Sequence, residues 1–139
     1  MSRDIESEVF TLVTDAVMAE YPKLQCSSWP DSAPASFPFA QVTMTGERDV
    51  AKTRTSRRAN EFRRVTFDVN VYSAAGKTRK SEAKAISRSF ASAFRNIGFT
   101  ETAGGQPLDL TDESTNRTVA RYFCRFEATV SETGETFGI

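Results

Sequence analysis

Two basic runs dominate the chain's chemistry-bearing residues. Arg48, Lys52, Arg54, Arg57, Arg58, Arg63 and Arg64 crowd one stretch, and Lys77, Arg79, Lys80, Lys84 and Arg88 crowd a second. Several arginines on one segment can neutralise phosphates without reading bases, which gives salt-sensitive, sequence-independent binding to a polyanion. A solvated basic loop that keeps a sheet edge from aggregating accounts for the first run equally well. Phe62 is the only aromatic residue in that run, and stacked recognition of single strands needs more than one.

Other reactive constellations are weaker. SAAGKT at 73–78 spells Gly76, Lys77 and Thr78 between an expected strand and helix, yet Val71 stands where a phosphate loop needs its first glycine. The segment is read as a strand-to-helix turn. Glu101, Asp109, Asp112 and Glu113 match no calcium-loop spacing and are read as a solvated acidic loop. Cys26 and Cys124 lie far apart with no CxxC partner and are expected to be reduced, partly buried thiols. The chain has no histidine, which removes Ser-His-Asp and Cys-His nucleophile pairs and imidazole-ligated metals. No catalytic residue, metal ligand or cofactor site is assigned.

Those runs need positioning elements, and length and composition limit what these are. The chain has 139 residues, 39% hydrophobic, with 18 Lys and Arg against 18 Asp and Glu. That length supports one domain, 1–139, with a single core. No stretch approaches the roughly 20 apolar residues of a membrane span, and the N-terminus MSRDIESEV is too polar for a signal peptide; a soluble, cytoplasmically assembled protein is expected. The neutral total hides segregation. Residues 1–47 carry two bases and seven acids, 48–95 carry thirteen and four, and 96–139 carry three and seven. Separated poles favour self-association or a polyanionic partner.

Residues 4–21 are expected to form an amphipathic helix, with Ile5, Val9, Leu12, Val13, Ala16 and Val17 on one face, Ser2 as N-cap and Pro22 as terminator. A short strand follows at Leu24–Trp29, with Trp29 anchoring a Pro- and Ser-rich loop on the core. Phe39–Glu47 alternates as a strand ended by Gly46, and residues 48–60 form an exposed basic hairpin tip or loop. Glu61–Ser73 places Val65, Phe67, Val69 and Val71 on a core face. Thr78–Gly98 is the second helix, buried through Ala83, Ile86, Phe90, Ala93, Phe94 and Ile97 and basic on its exposed side. Phe99–Ala103 is a short strand. Thr118–Val130 is a long one with Ala120, Tyr122, Cys124, Phe126, Ala128 and Val130 inward, and 131–139 is a C-terminal arm. The sum is an α+β domain, a mixed, mainly antiparallel sheet with two helices packed on one face.

This layout resembles a known family. An N-terminal helix, FPFAQVTM, a charged loop, VTFDVNVYS, the turn AAGKTRKSEA into a helix ending FRNIGF, and a final strand ARYFCRFEATV are together similar to the tail terminator (tail completion, head-tail joining) proteins of long-tailed bacteriophages. The resemblance runs from about Ile5 to Val130 and rests on order and texture. It implies a non-enzymatic virion protein assembled in the host bacterial cytoplasm, a homo-hexameric ring that caps the tail tube. Its expected partners are copies of itself, the tail tube protein, a head-completion or connector protein, and DNA passing through the lumen, with no membrane. Candidate lumen or inter-subunit contacts are then Arg48, Lys52, Arg54, Arg57, Arg58, Arg63, Arg64, Lys77, Arg79 and Lys80. Another small neck or minor capsid component, and a nucleic-acid-binding accessory module using the Arg48–Arg64 hairpin, remain alternatives.

Overall fold

The computed structural model describes residues 4–28, 37–49, 62–105, 107–112 and 117–131. The calls on Ser2, Trp29, most of the basic loop and the C-terminal arm beyond Ser131 lie outside them. Among the described residues the order is α1 (Ile5–Glu20), β1 (Gln25–Ser27), β2 (Phe39–Asp49), β3 (Phe62–Ser73), a single 3₁₀ turn (Gly76–Thr78), α2 (Arg79–Asn96), β4 (Thr100–Gly104), β5 (Leu108–Asp112) and β6 (Arg117–Ser131). This is an α+β fold.

Asp4 caps α1, its Oδ1 accepting from the Ser7 N–H at 3.2 Å, so the capping role expected of Ser2 falls to the residue at which the helix was expected to begin. The buried set is Ile5, Val9, Val13, Thr14 and Val17. Leu12 and Ala16, expected inward, are exposed, Leu12 at 48%. Buried positions here step by four residues along a narrow contact stripe, and Leu12 falls off its edge. Helix α2 buries Ala83, Ile86, Ser87, Phe90, Ala91, Ala93 and Phe94. It ends at Gly98 with φ +96°, where the N–H groups of Gly98 and Phe99 donate to the carbonyls of Arg95 and Phe94, satisfying otherwise orphaned acceptors.

The sheet runs β1-β2-β3-β6-β4, with β5 also paired to β6. All pairings are antiparallel except β1 with β2. Strand β2 does not end at Gly46. It passes through a register shift between Met44 and Gly46 and runs on to Asp49, because a bulge takes up Thr45 and the ladder resumes with Gly46 opposite Thr66. The 15-residue β6 is long enough for two short strands to share one edge: β5 pairs with Arg117–Arg121 and β4 with Cys124–Glu127. The segment expected as an acidic loop is therefore partly strand.

Val65, Phe67, Val69 and Val71 are fully buried, as are Ala40 and Val42 on β2 and Ala120, Cys124 and Val130 on β6. One core cluster joins this alternating set to the buried residues of both helices. At its centre Phe94 stacks on Phe126 at 4.4 Å and meets Phe99 and Phe67 at 5.2 and 5.8 Å. Helix α1 packs on α2 and β2, whereas α2 packs on β3, β6 and β4. The helices thus follow the strand order across the sheet, and the β4–β5 edge lies on the flank away from α1.

Candidate functional site

The basic residues singled out from sequence do not form one site. Arg48, Arg63 and Arg64 lie where β2 and β3 run toward the connecting loop, with Arg48 in register opposite Arg64. Lys77, Arg79 and Lys80 lie beyond the other end of β3. The ten steps from Arg63 to Ser73 span about 33 Å at strand rise, so the cationic middle third is divided between opposite ends of the sheet. Lys52, Arg54, Arg57 and Arg58 are outside the described residues.

Most of the described members hold acids from elsewhere in the chain. Arg63 Nη1 lies 3.0 Å from Glu47 Oε1. Arg64 donates from Nε to Glu127 Oε1 at 3.1 Å and from Nη1 to Thr129 Oγ1 at 3.3 Å. Gly46, Glu47, Arg64, Thr66 and Glu127 line an open polar hollow of about 420 Å³ beside the β2 bulge. At the other end Arg79 grips Asp109 with two bonds of 2.9 Å and also donates to the Gly76 carbonyl, while Lys80 Nζ stands 3.5 Å from Asp109. The Arg79 hydrogen bonds hold the Asp109 carboxyl below its ordinary pKa. Lys77 is exposed in the 3₁₀ turn, whose Gly76 takes φ +66°, a conformation glycine adopts without steric cost.

Two further groups escaped the sequence reading. Arg88 crosses from α2 to β4 and pairs with both Glu101 oxygens at 3.2 and 2.7 Å, its guanidinium 5.8 Å from the centroid of Tyr122 and Nη2 3.7 Å from Cys124 Sγ. Hydrogen bonding to Arg88 pulls the Glu101 carboxyl below the usual range. Burial, with the Glu101 charge adding to it, pushes the Cys124 thiol up to about 11, and burial pushes Cys26 up to about 11 as well. Both thiols are free and protonated at neutral pH, which makes them poor nucleophiles. The second group is apolar. Among the described residues, Leu12, Leu108 and Leu110 are the large hydrophobic residues that stay exposed, at 48%, 53% and 41%. No sequence signal marked them, because exposure depends on which neighbours the fold supplies.

Among the described residues no cluster of three His, Cys, Asp or Glu side chains forms, and no helix is long and apolar enough to cross a membrane. The pairings cross-link strands and helices through charged groups at both ends of the sheet. Neither protein-family models nor curated proteins give a match to the chain.

Proposed function

We propose that the protein is a non-enzymatic structural subunit of a bacteriophage virion, a ring-forming tail terminator that caps the tail tube and presents the surface for head-tail joining. One observation carries the reading. The segments that resemble the family fall on successive elements of one domain: FPFAQVTM within and just before β2, VTFDVNVYS on β3, AAGKTRKSEA across the 3₁₀ turn into α2, and ARYFCRFEATV on β6. A small sheet with two helices and short strands left along one edge suits a subunit that meets copies of itself in a ring. The ion pairs that Arg63 and Arg64 make within the chain favour this structural role over a free nucleic-acid-binding arm, since a paired guanidinium must break its contact to reach a phosphate.

The test is assembly of tails with the protein withheld. A terminator's loss gives tubes of uncontrolled length or headless tails by electron microscopy. Capped tails of normal length joined to heads would refute the reading.

A further inference from the structure

The sheet has a second face. On β3 and β6 the residues that alternate with the core set, from Thr66 to Tyr72 and from Arg121 to Thr129, lie outside the core cluster. One end of this face satisfies itself. Arg64 pairs with one Glu127 oxygen, Thr102 donates to the other, and Arg125 grips Asp68 at 2.7 and 3.1 Å.

The other end is apolar around a single cation. Phe39, Tyr72, Arg121 and Leu108 stand opposite one another in one row across four strands, and opposed residues share a face. Val119, Arg121 and Phe123 follow at alternate positions along β6, about 7 Å apart. Arg121 is thus the centre of a cross, with Val119 and Phe123 along its strand and Tyr72 and Leu108 to either side. Phe39 and Val119 are buried, at 7% and 4% exposure, without joining the core cluster, so this is a separate apolar patch. Leu108 and Leu110, the latter opposite Val119, continue it into solvent.

Arg121 lacks what Arg64 and Arg125 have. Among the described residues no hydrogen bond or ion pair engages it, and its Nε is buried with no acceptor. Such a group carries a desolvation penalty that a carboxylate would remove. Asp109 on the adjoining strand cannot supply one, because it turns through the opposite face to Arg79. The rings do not suit a nucleic-acid strand: Arg125 lies 5.6 Å from the Phe123 centroid and Phe39 is covered, which leaves Tyr72, whereas stacking of successive bases needs several open rings.

We propose that this patch docks a partner protein presenting one carboxylate ringed by apolar side chains, the carboxylate taken by Arg121 and the apolar rim by Tyr72, Leu108, Leu110 and Phe123. Charge complementarity selects the occupant. The patch holds an unpaired positive charge in an apolar surround, and covering it excludes water from the new pair, where a charge-assisted bond is strongest. These contacts hold with or without the ring-forming reading.

The probe is the capped pentapeptide Leu-Ser-Asp-Ser-Leu, whose alternation sets the acid between two apolar side chains at the spacing of Val119, Arg121 and Phe123. Titrated into the isotope-labelled full chain, it shifts the Arg121 Nε–H signal and the methyl signals of Leu108, Leu110 and Val119 together and saturably in nuclear magnetic resonance spectra. Asn in place of the peptide's acid, or Arg121→Gln in the protein, weakens binding more than about tenfold, the loss expected for a hydrogen bond to a charged group. Should Arg121→Gln fail to fold, Leu108→Ser, at a position 53% exposed, weakens the peptide while keeping the preference for the acid. Equal binding of the Asn peptide, undiminished binding by Arg121→Gln, saturable shifts confined to other residues, or no saturable shift overturns the proposal. An oligothymidylate strand that moves these signals at lower concentration than the peptide gives the patch to nucleic acid, and a wild-type dimer that Arg121→Gln makes monomeric gives it to a second copy; either result also overturns it. Tails of normal length without the protein would remove the terminator reading and leave this one untouched.

Discussion

Replacing Phe94 tests the core most severely. The ring is fully buried and meets three others: Phe126 stacked at 4.4 Å and 7° between planes, Phe99 edge-on at 5.2 Å, and Phe67 tilted at 5.8 Å. Truncation of a buried phenylalanine to alanine costs about 3–5 kcal/mol. Three ring partners put Phe94→Ala at the upper end, because each well-placed aromatic pair adds about 0.5–1.5 kcal/mol beyond its area. Phe94→Leu keeps most of the apolar volume and should cost about 1–2 kcal/mol, the share owed to ring geometry and imperfect refilling. Urea denaturation followed by circular dichroism gives both values, provided that the m-value is unchanged. A double-mutant cycle of Phe94→Leu with Phe126→Leu should show coupling of about 0.5–1.5 kcal/mol. Additive losses in that cycle, or a Phe94→Ala loss under about 2 kcal/mol, would refute α2 docking on β6 through this stack.

Three other outcomes follow from local structure. Gly98→Ala, forced to φ +96°, should cost about 1–2 kcal/mol in the same denaturation experiment. The Glu101 pKa lies below its ordinary 4.5, chiefly through the hydrogen bond to Arg88; its stabilising contribution is therefore present above 4.5 and is lost as pH falls through the folded value. Glu101→Gln should accordingly flatten the acid limb of a stability–pH profile, with an unchanged acid limb counting against the pairing; partial exposure keeps the effect small. Cys124 should resist a thiol-reactive dye at pH 8 until the protein unfolds, and Cys26 should react more slowly than a free thiol, since both values stand near 11; rapid native labelling at Cys124 would contradict its burial.

Period-two alternation made β3 and β6 readable from sequence, because a face of Val65, Phe67, Val69 and Val71 has no other way to leave water. Gly98 and the buried face of α2 were legible for the same reason, as local signals read by local rules. Strand β5 was not. LDLTD has little strand propensity and lies among acids, and it pairs because β6 is long enough to offer a second docking site on its free edge. That is a property of a partner about ten residues away in sequence. The β2 bulge made Gly46 look like an end, and the exposure of Leu12 followed from how narrowly α1 rests on its neighbours. The candidate contact residues were legible as types but not as places, since the pairing of Arg64 with Glu127 or Arg79 with Asp109 joins residues 63 and 30 positions apart.

Segregation of charge along the chain was the feature that most strongly suggested self-association, and folding changes its meaning. Strand pairing brings the acids of the last third onto the bases of the middle third: Glu127 to Arg64, Glu101 to Arg88, Asp109 to Arg79, while Asp68 of the middle third receives Arg125 of the last. Most of the pole seen along the chain is consumed by pairing within the fold. No base on α1 offsets its acids, and Lys84 continues the exposed line set by Lys80 on α2. Scattered exposed charges such as Lys77 and Lys84 remain where sequence implied one large cationic segment. A large separation of charge along a chain therefore says little about the folded surface by itself, because the antiparallel register that joins the last third to the middle third sets acid beside base and leaves a much smaller imbalance to face solvent.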